Sequence, residues 1–151
     1  SEGISVAEFK QLSEMVWASP QIMAADLTCA AAQGFTLIIN NRPDGETDDQ
    51  PGGSEIEHAA AQHGLAYVAV PVGHTGFSQT MIDGMVQALE NAEGKVLSYC
   101  RSGTRSTFLW ALAEASRGES PTALINAARG AGYDISPIEP MLEMLAAKAR
   151  V

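Results

Sequence analysis

The sequence predicts an α/β fold: a small parallel sheet flanked by helices on both faces, followed by a C-terminal helical group. Two observations carry this. Three short apolar runs, Phe35 to Asn40 (FTLIIN), Leu65 to Val72 (LAYVAVPV) and Lys95 to Cys100 (KVLSYC), have strand length and β-branched or aromatic residues, and Gly34, Gly64 and Gly94 precede them. Helical stretches separate the runs, which is the alternation of a parallel sheet buried on both sides.

Taken in order, Met15 to Ala18 is a weaker fourth strand candidate, and MAADLTCAAAQG reads as an alanine-rich helix with Cys29 as a small core residue. Ser54 followed by Glu57, and Thr80 followed by Asp83, fit capping boxes that open the next two helices. In the second of these, Ile82, Met85, Val86 and Leu89 fall on one helical face. After Cys100, residues 106–117, 121–131 and 137–149 read as three successive helices. Ser120-Pro121 and Ser136-Pro137 place a capping residue before a first-turn proline in the last two. The polar stretch Arg42 to Ser54 (RPDGETDDQPGGS) is a loop beside a strand end, the edge at which α/β sheets bind ligands.

The chain has 151 residues, 46% hydrophobic and 18% charged, enough for one domain over 1–151 that buries roughly 70% of its unfolded surface. Its formal charge of −9 argues against a broad nucleic-acid surface. No apolar run approaches the ~20 residues of a membrane helix, and no basic-then-apolar leader opens the sequence. Two cysteines make no disulfide framework, so a cytoplasmic protein is expected.

The chemistry concentrates in Cys100-Arg101-Ser102-Gly103-Thr104-Arg105-Ser106, between a buried strand and a helix. Such a turn gathers backbone N–H groups at one point with the helix dipole behind them, which makes it an anion cradle. Cys100 is expected at its rim, where the dipole and two guanidinium groups favour the thiolate. Gly103 permits the tight turn, and Arg105 offers a two-pronged fork to a tetrahedral oxyanion. Two of the six arginines in this acidic chain fall inside the loop.

CRSGTRS, together with INNRPDGE (39–46), LAYVAVPV and PTALINAARGAGYDIS, resembles the phosphatase-like domain of beta-lactamase-hydrolase-like proteins. That is a bacterial branch of the cysteine-phosphatase superfamily, some of whose members are labelled sulfur transferases. The resemblance covers roughly residues 15 to 147 and implies a dual-specificity-phosphatase-like fold with the catalytic loop after the last parallel strand. It implies Cys100 as nucleophile, Arg105 as oxyanion clamp, and Arg101, Ser102, Gly103, Thr104 and Ser106 as substrate-binding. Two departures stand out. The wider pattern has five residues between Cys and Arg, whereas four intervene here, and it has His where this chain has Tyr99. Ser106 then carries more of the duty of holding the thiolate. A four-residue gap is also that of single-domain rhodaneses, although their Gly-His-Ile-Pro-like segment is missing.

The dual-specificity pattern takes its general acid from an Asp after the strand equivalent to LAYVAVPV, where this chain reads Gly73-His74-Thr75-Gly76-Phe77. Asp44 in the RPDGE loop is the favoured substitute and His74 the alternative. Asp44-Gly45 also suits a plain turn, and Arg42 and Glu46 either frame a pocket or belong to a solvated loop. His58 and His63 lie ~140° apart around a helix, so no metal is expected, and no cofactor. Trp17, Trp110, the six methionines and the leucines of the last helices read as core. Asp48, Asp49, Glu55 and Glu57 read as a solvated acidic rim. The expected function is a cysteine phosphatase-like hydrolase of a small phosphate or other oxyanion, working through a thiophosphoryl-enzyme. The alternatives are a rhodanese-type persulfide carrier on the same cysteine and a non-catalytic anion- or partner-binding domain.

Overall fold

The computed structural model of the chain describes residues 8–151; the first seven, on which the expectation about a leader falls, lie outside the described residues. Five strands form one sheet: β1 (Lys10–Gln11), β2 (Val16–Ser19), β3 (Phe35–Asn40), β4 (Ala66–Ala69) and β5 (Lys95–Tyr99), in the order β1-β2-β5-β3-β4. β1 is antiparallel to β2 and every other pairing is parallel. The ladder sets Tyr99 beside both Ser19 and Asn40, and Asn40 beside Ala69. The C-terminal ends of β2, β3, β4 and β5 therefore share one edge, and the loops that leave it converge.

Helices cover both faces. α1 (Ala24–Ala32) and α2 (Gly53–Gln62) pack one face through Leu27, Ile38, Ile56, Leu97 and Tyr99. On the other lie α3 (Gln79–Asn91), α4 (Thr104–Ser116), α5 (Pro121–Gly130) and α6 (Glu139–Ala149), over a core that includes Ile39, Val96, Leu109, Leu112 and Leu142. α4 touches α3, α5 and α6. It is apolar around most of its circumference, as a helix inside a helical layer must be.

Several boundaries correct the sequence reading. α2 starts at Gly53 with Gly52 as its extended cap, so Ser54 is not the cap. α3 is capped by Ser78, whose Oγ accepts from Met81 N at 3.2 Å, two residues before the expected Thr80. Ser120 caps α5 as expected, accepting from Ala123 N. Ser136-Pro137 instead opens a short 3₁₀ turn (Ser136–Ile138), with Ser136 N donating to Asp134 Oδ1 at 2.9 Å, and α6 begins at Glu139. LAYVAVPV is strand only over Ala66–Ala69, because β4 is an edge strand. Its continuation stays tied to β3: Val70 N donates to Asn40 O and Val72 N to Asn41 O, both at 2.9 Å.

Three core assignments also change. Cys29 is only partly covered, Trp17 is half-buried against Phe35, and Met15, Met23 and Met144 are about half exposed. No helix among the described residues is long and apolar enough to cross a membrane.

Candidate active site

β5 ends at Tyr99, and the next residues cannot extend the strand because the chain must turn into α4. Gly103 makes that turn, with φ +95° and ψ −9°, and is the N-cap of α4. Its amide donates to Cys100 Sγ at 3.1 Å, so the loop closes on the sulfur. Cys100 N donates to Ser19 O at 3.3 Å and Arg101 O accepts from Gln21 N at 3.1 Å, which anchors the loop to the end of β2. Ser102 Oγ accepts from Thr104 N at 3.3 Å, and Thr107 Oγ1 donates to Gly103 O at 2.7 Å. Among the described residues, the amides of Arg101, Ser102, Arg105 and Ser106 have no acceptor. Unpartnered amides at a helix N-terminus are the elements of an anion cradle.

Cys100 has no exposed surface, which corrects the expectation of a rim position. The sulfur lies beneath its loop, and a ring with four residues between Cys100 and Arg105 is tight. Tyr133, from the turn after α5, closes this side: its hydroxyl donates to Ser102 O at 3.1 Å. A Cβ at Gly103 would meet the Tyr133 hydroxyl head-on and Cζ at 2.9 Å. Burial raises the Tyr133 pKa, and the nearby Cys100 sulfur adds to the rise. Ser106 Oγ is buried without a hydrogen-bond partner. A buried hydroxyl left unsatisfied costs free energy, and this one stands in the first turn of α4 with its donor uncommitted.

Arg105 is held by the loop after β3. Its Nη1 donates to Glu46 Oε2 at 2.7 Å and to Val72 O at 2.6 Å, and its Nη2 to Glu46 Oε1 at 2.9 Å. Glu46 is held in turn by Arg42 Nε at 2.8 Å. Arg42 is buried, with Nη1 on Gln21 Oε1 at 2.9 Å and Nη2 on Thr47 Oγ1 at 3.3 Å. The hydrogen bonds from Arg105, followed by those from Arg42, pull the Glu46 carboxyl down to a pKa of about 2 despite its burial. Glu46, and after it the Cys100 sulfur, raises that of Arg105. Three of the five guanidinium N–H groups are thus committed, leaving Nε–H and the second Nη2–H, the side-on fork that matches two oxygens of a tetrahedral anion.

Arg101, Arg105, Glu46, Gly73 and His74 line a cavity of about 320 Å³ at this edge. Asp44 is placed differently. Its Oδ1 accepts from Gly53 N at 2.8 Å, fastening the start of α2, and it lines a neighbouring cavity with Asn40, Tyr67 and Glu57. Gly53 approaches so closely there that a Cβ would lie 2.9 Å from the Tyr67 hydroxyl. Tyr99, where the wider pattern has His, is buried beside Tyr67, and burial above all holds its phenol protonated. The acidic rim of Asp48, Asp49, Glu55 and Glu57 is exposed as expected. Among the described residues no cluster of side chains could hold a metal ion.

The chain matches the family model of the beta-lactamase hydrolase-like protein, phosphatase-like domain, over residues 8–117. It belongs to that family. A beta-lactamase hydrolase-like protein of Xylella fastidiosa is 40% identical over 114 residues, covering 75% of this chain and 26% of the relative. Its counterpart in Agrobacterium fabrum is 38% identical over 108 residues, covering 72% and 25%. The chain thus spans about a quarter of the length of the curated relatives it matches.

Among solved structures, a candidate phosphatase of Neisseria meningitidis superposes with a TM-score of 0.79 at 31% identity, covering 90% of this chain and 96% of that one. Kinase-associated phosphatase, solved with its catalytic-site cysteine replaced by serine, superposes at 0.71 with 15% identity, covering 100% and 99%, and shows the fold alone. The phosphatase-like domain therefore has the dual-specificity and tyrosine-phosphatase fold that the resemblance implied.

Cys100, Arg101, Gly103 and Arg105, singled out in the sequence, lie in or next to one turn, and Arg101 and Arg105 line the same cavity. Sequence reasoning left Arg42 and Glu46 undecided between pocket and solvated loop; Glu46 lines the cavity with Arg105, and Arg42 is buried behind Glu46 and paired to it. It missed Tyr133, whose only signal was its place in the segment PTALINAARGAGYDIS, and the Val72 carbonyl, which has none.

Proposed function

We propose that this domain is a cysteine-dependent hydrolase of small phosphate esters. The observation that supports this best is the donor set gathered at Cys100: unpartnered loop amides, and an arginine fork oriented by Glu46. In this reading the Cys100 thiolate attacks phosphorus and the P–O bond to the leaving group breaks. The leaving oxygen takes a proton from the general acid, and a thiophosphoryl-enzyme forms. Water then gives a proton back to the deprotonated acid and attacks phosphorus as the P–S bond breaks, releasing inorganic phosphate and the thiolate, to which Ser106 Oγ donates. The amides and the Arg105 fork stabilise the charge that builds on the oxygens. Because Cys100 is buried beneath its loop, the loop must widen to admit the ester. That cost, with a ring one amide shorter than usual, makes activity on generic aryl phosphates weak.

The purified protein is expected to release phosphate from an aryl phosphate slowly, with Cys100→Ser and Arg105→Lys both near background. The contrasting assay is thiosulfate-to-cyanide sulfur transfer on the same protein. Robust sulfur transfer that requires Cys100, with no phosphate release, overturns the hydrolase in favour of the persulfide carrier. Inactivity of the wild type on every phosphate ester favours the binding domain.

His74 is assigned as the proton donor, because it lines the cavity that contains Arg101 and Arg105 whereas Asp44 fastens α2. His74→Gln is expected to slow an alkyl phosphate by roughly 10²-fold and an aryl phosphate with an acidic phenol far less. Asp44→Asn should affect the two esters alike. The reverse pattern would return the role to Asp44.

A further inference from the structure

We propose that the ester taken by this site carries a second anionic group, a carboxylate or another phosphate on a small polar skeleton, and that Arg101 binds it. The inference rests on the phosphate-ester reading above and specifies its substrate class. Its first basis is the cavity wall. Arg101, Arg105, His74, Glu46 and Gly73 contribute no apolar side chain. Binding sites for aromatic or aliphatic groups are walled mostly by apolar and aromatic side chains, so this one suits a hydrophilic substrate.

The second basis is an arginine without employment. The Arg101 side chain makes no hydrogen bond or ion pair among the described residues and is exposed at the cavity, while its own backbone is pinned by Gln21 N. The other two arginines here have work already: Arg42 is buried with three side-chain partners, and Arg105 is held by Glu46 and Val72 with its remaining fork reserved, in this reading, for the scissile phosphate. Glu46 cannot neutralise Arg101, since both its oxygens are already paired. Asp49 accepts from Thr47 Oγ1 at 2.8 Å, which above all lowers its pKa; Arg101 adds to the lowering through space but makes no salt bridge with it. A free guanidinium in the wall of a small polar cavity, in a chain with net charge −9, is a site for an anion that the phosphate cradle does not consume.

Calorimetric titration of the Cys100→Ser protein, with Cys100→Ala as a second background, tests this without turnover. The probes are 3-phosphoglycerate and glycerol 3-phosphate, which share a three-carbon phosphate ester and differ in a carboxylate. The carboxylate ester is expected to bind about tenfold more tightly, the scale of one charge-assisted fork. Arg101→Gln in the same background should bring the two within about twofold. Equal affinities, no measurable binding of either ester, or a preference that survives Arg101→Gln overturns the inference. A preference that is present and depends on Arg101, in a wild-type protein that hydrolyses neither ester, sustains the anion site and overturns the hydrolase alone.

Discussion

Glu46→Gln is expected to lower stability at neutral pH by about 2–4 kcal/mol and kcat/KM on any phosphate ester by roughly 10²-fold. The stability figure has two independent supports. A carboxyl whose pKa falls from 4.5 to about 2 on folding gains on the order of 3 kcal/mol from its surroundings. Removing one partner of a buried ion pair costs a similar ~3–5 kcal/mol, of which the amide recovers part by hydrogen bonding. The burden falls on Arg42, whose side chain is 4% exposed and would keep its charge without its counter-ion.

Because the folded-state pKa is depressed, this stabilisation is complete above about pH 4.5. It is lost as pH falls toward 2. Urea unfolding at pH 7 should therefore separate wild type from Glu46→Gln, and unfolding near pH 2 should bring them together. Equal midpoints at pH 7 would mean that the ion pairs contribute nothing. The kinetic loss follows from geometry: the substituted amide has one acceptor oxygen where Glu46 has two, so Arg105 loses its two-point anchor and keeps the Val72 carbonyl with at most one side-chain acceptor, and misplacement by about 1 Å can cost 10²-fold.

Gly103→Ala is expected to destabilise by about 2–4 kcal/mol and to reduce activity by 10²-fold or more. Two costs combine. At φ +95° a Cβ strains the backbone by roughly 1–2 kcal/mol, and the same Cβ runs into the Tyr133 hydroxyl. Any relief moves the amide that donates to Cys100 Sγ, and the loss of one such donor in a transition state is worth ~10² to 10³ in rate. Tyr133→Ala in the Gly103→Ala background separates the two contributions. It should restore part of the stability by making room, and little of the activity, because the backbone strain remains. Wild-type activity in the single variant would show that the Gly103 turn is not needed for the reaction.

The elements carried by local pattern were legible in the sequence. β3 and β5 are continuous apolar runs, and the loop between β5 and α4 holds Cys, Gly and Arg at a spacing that a bland turn has no reason to adopt. β1 was not legible, because two residues on an antiparallel edge, Lys10 and Gln11, leave no periodic trace. Helix starts shifted for a related reason. Ser54 and Thr80 have the right chemistry for a cap, but the extended backbone falls at Gly52 and Ser78, where the chain leaves the preceding loop.

The sequence alone determined the α/β class, the apolar strands β3 and β5 and the position of the turn from Cys100 to Ser106, since each leaves a pattern in residues within a few positions of one another. Only the tertiary structure decided how that turn is completed. Glu46 and Arg105 stand 59 residues apart, and Tyr133 and Ser102 stand 31 apart. Their meeting depends on which strands become neighbours at the sheet edge and on where the helical group folds back. The depressed pKa of Glu46 arises from the same meeting. Charge and hydrogen bonding act through space, and no spacing along the chain encodes that distance.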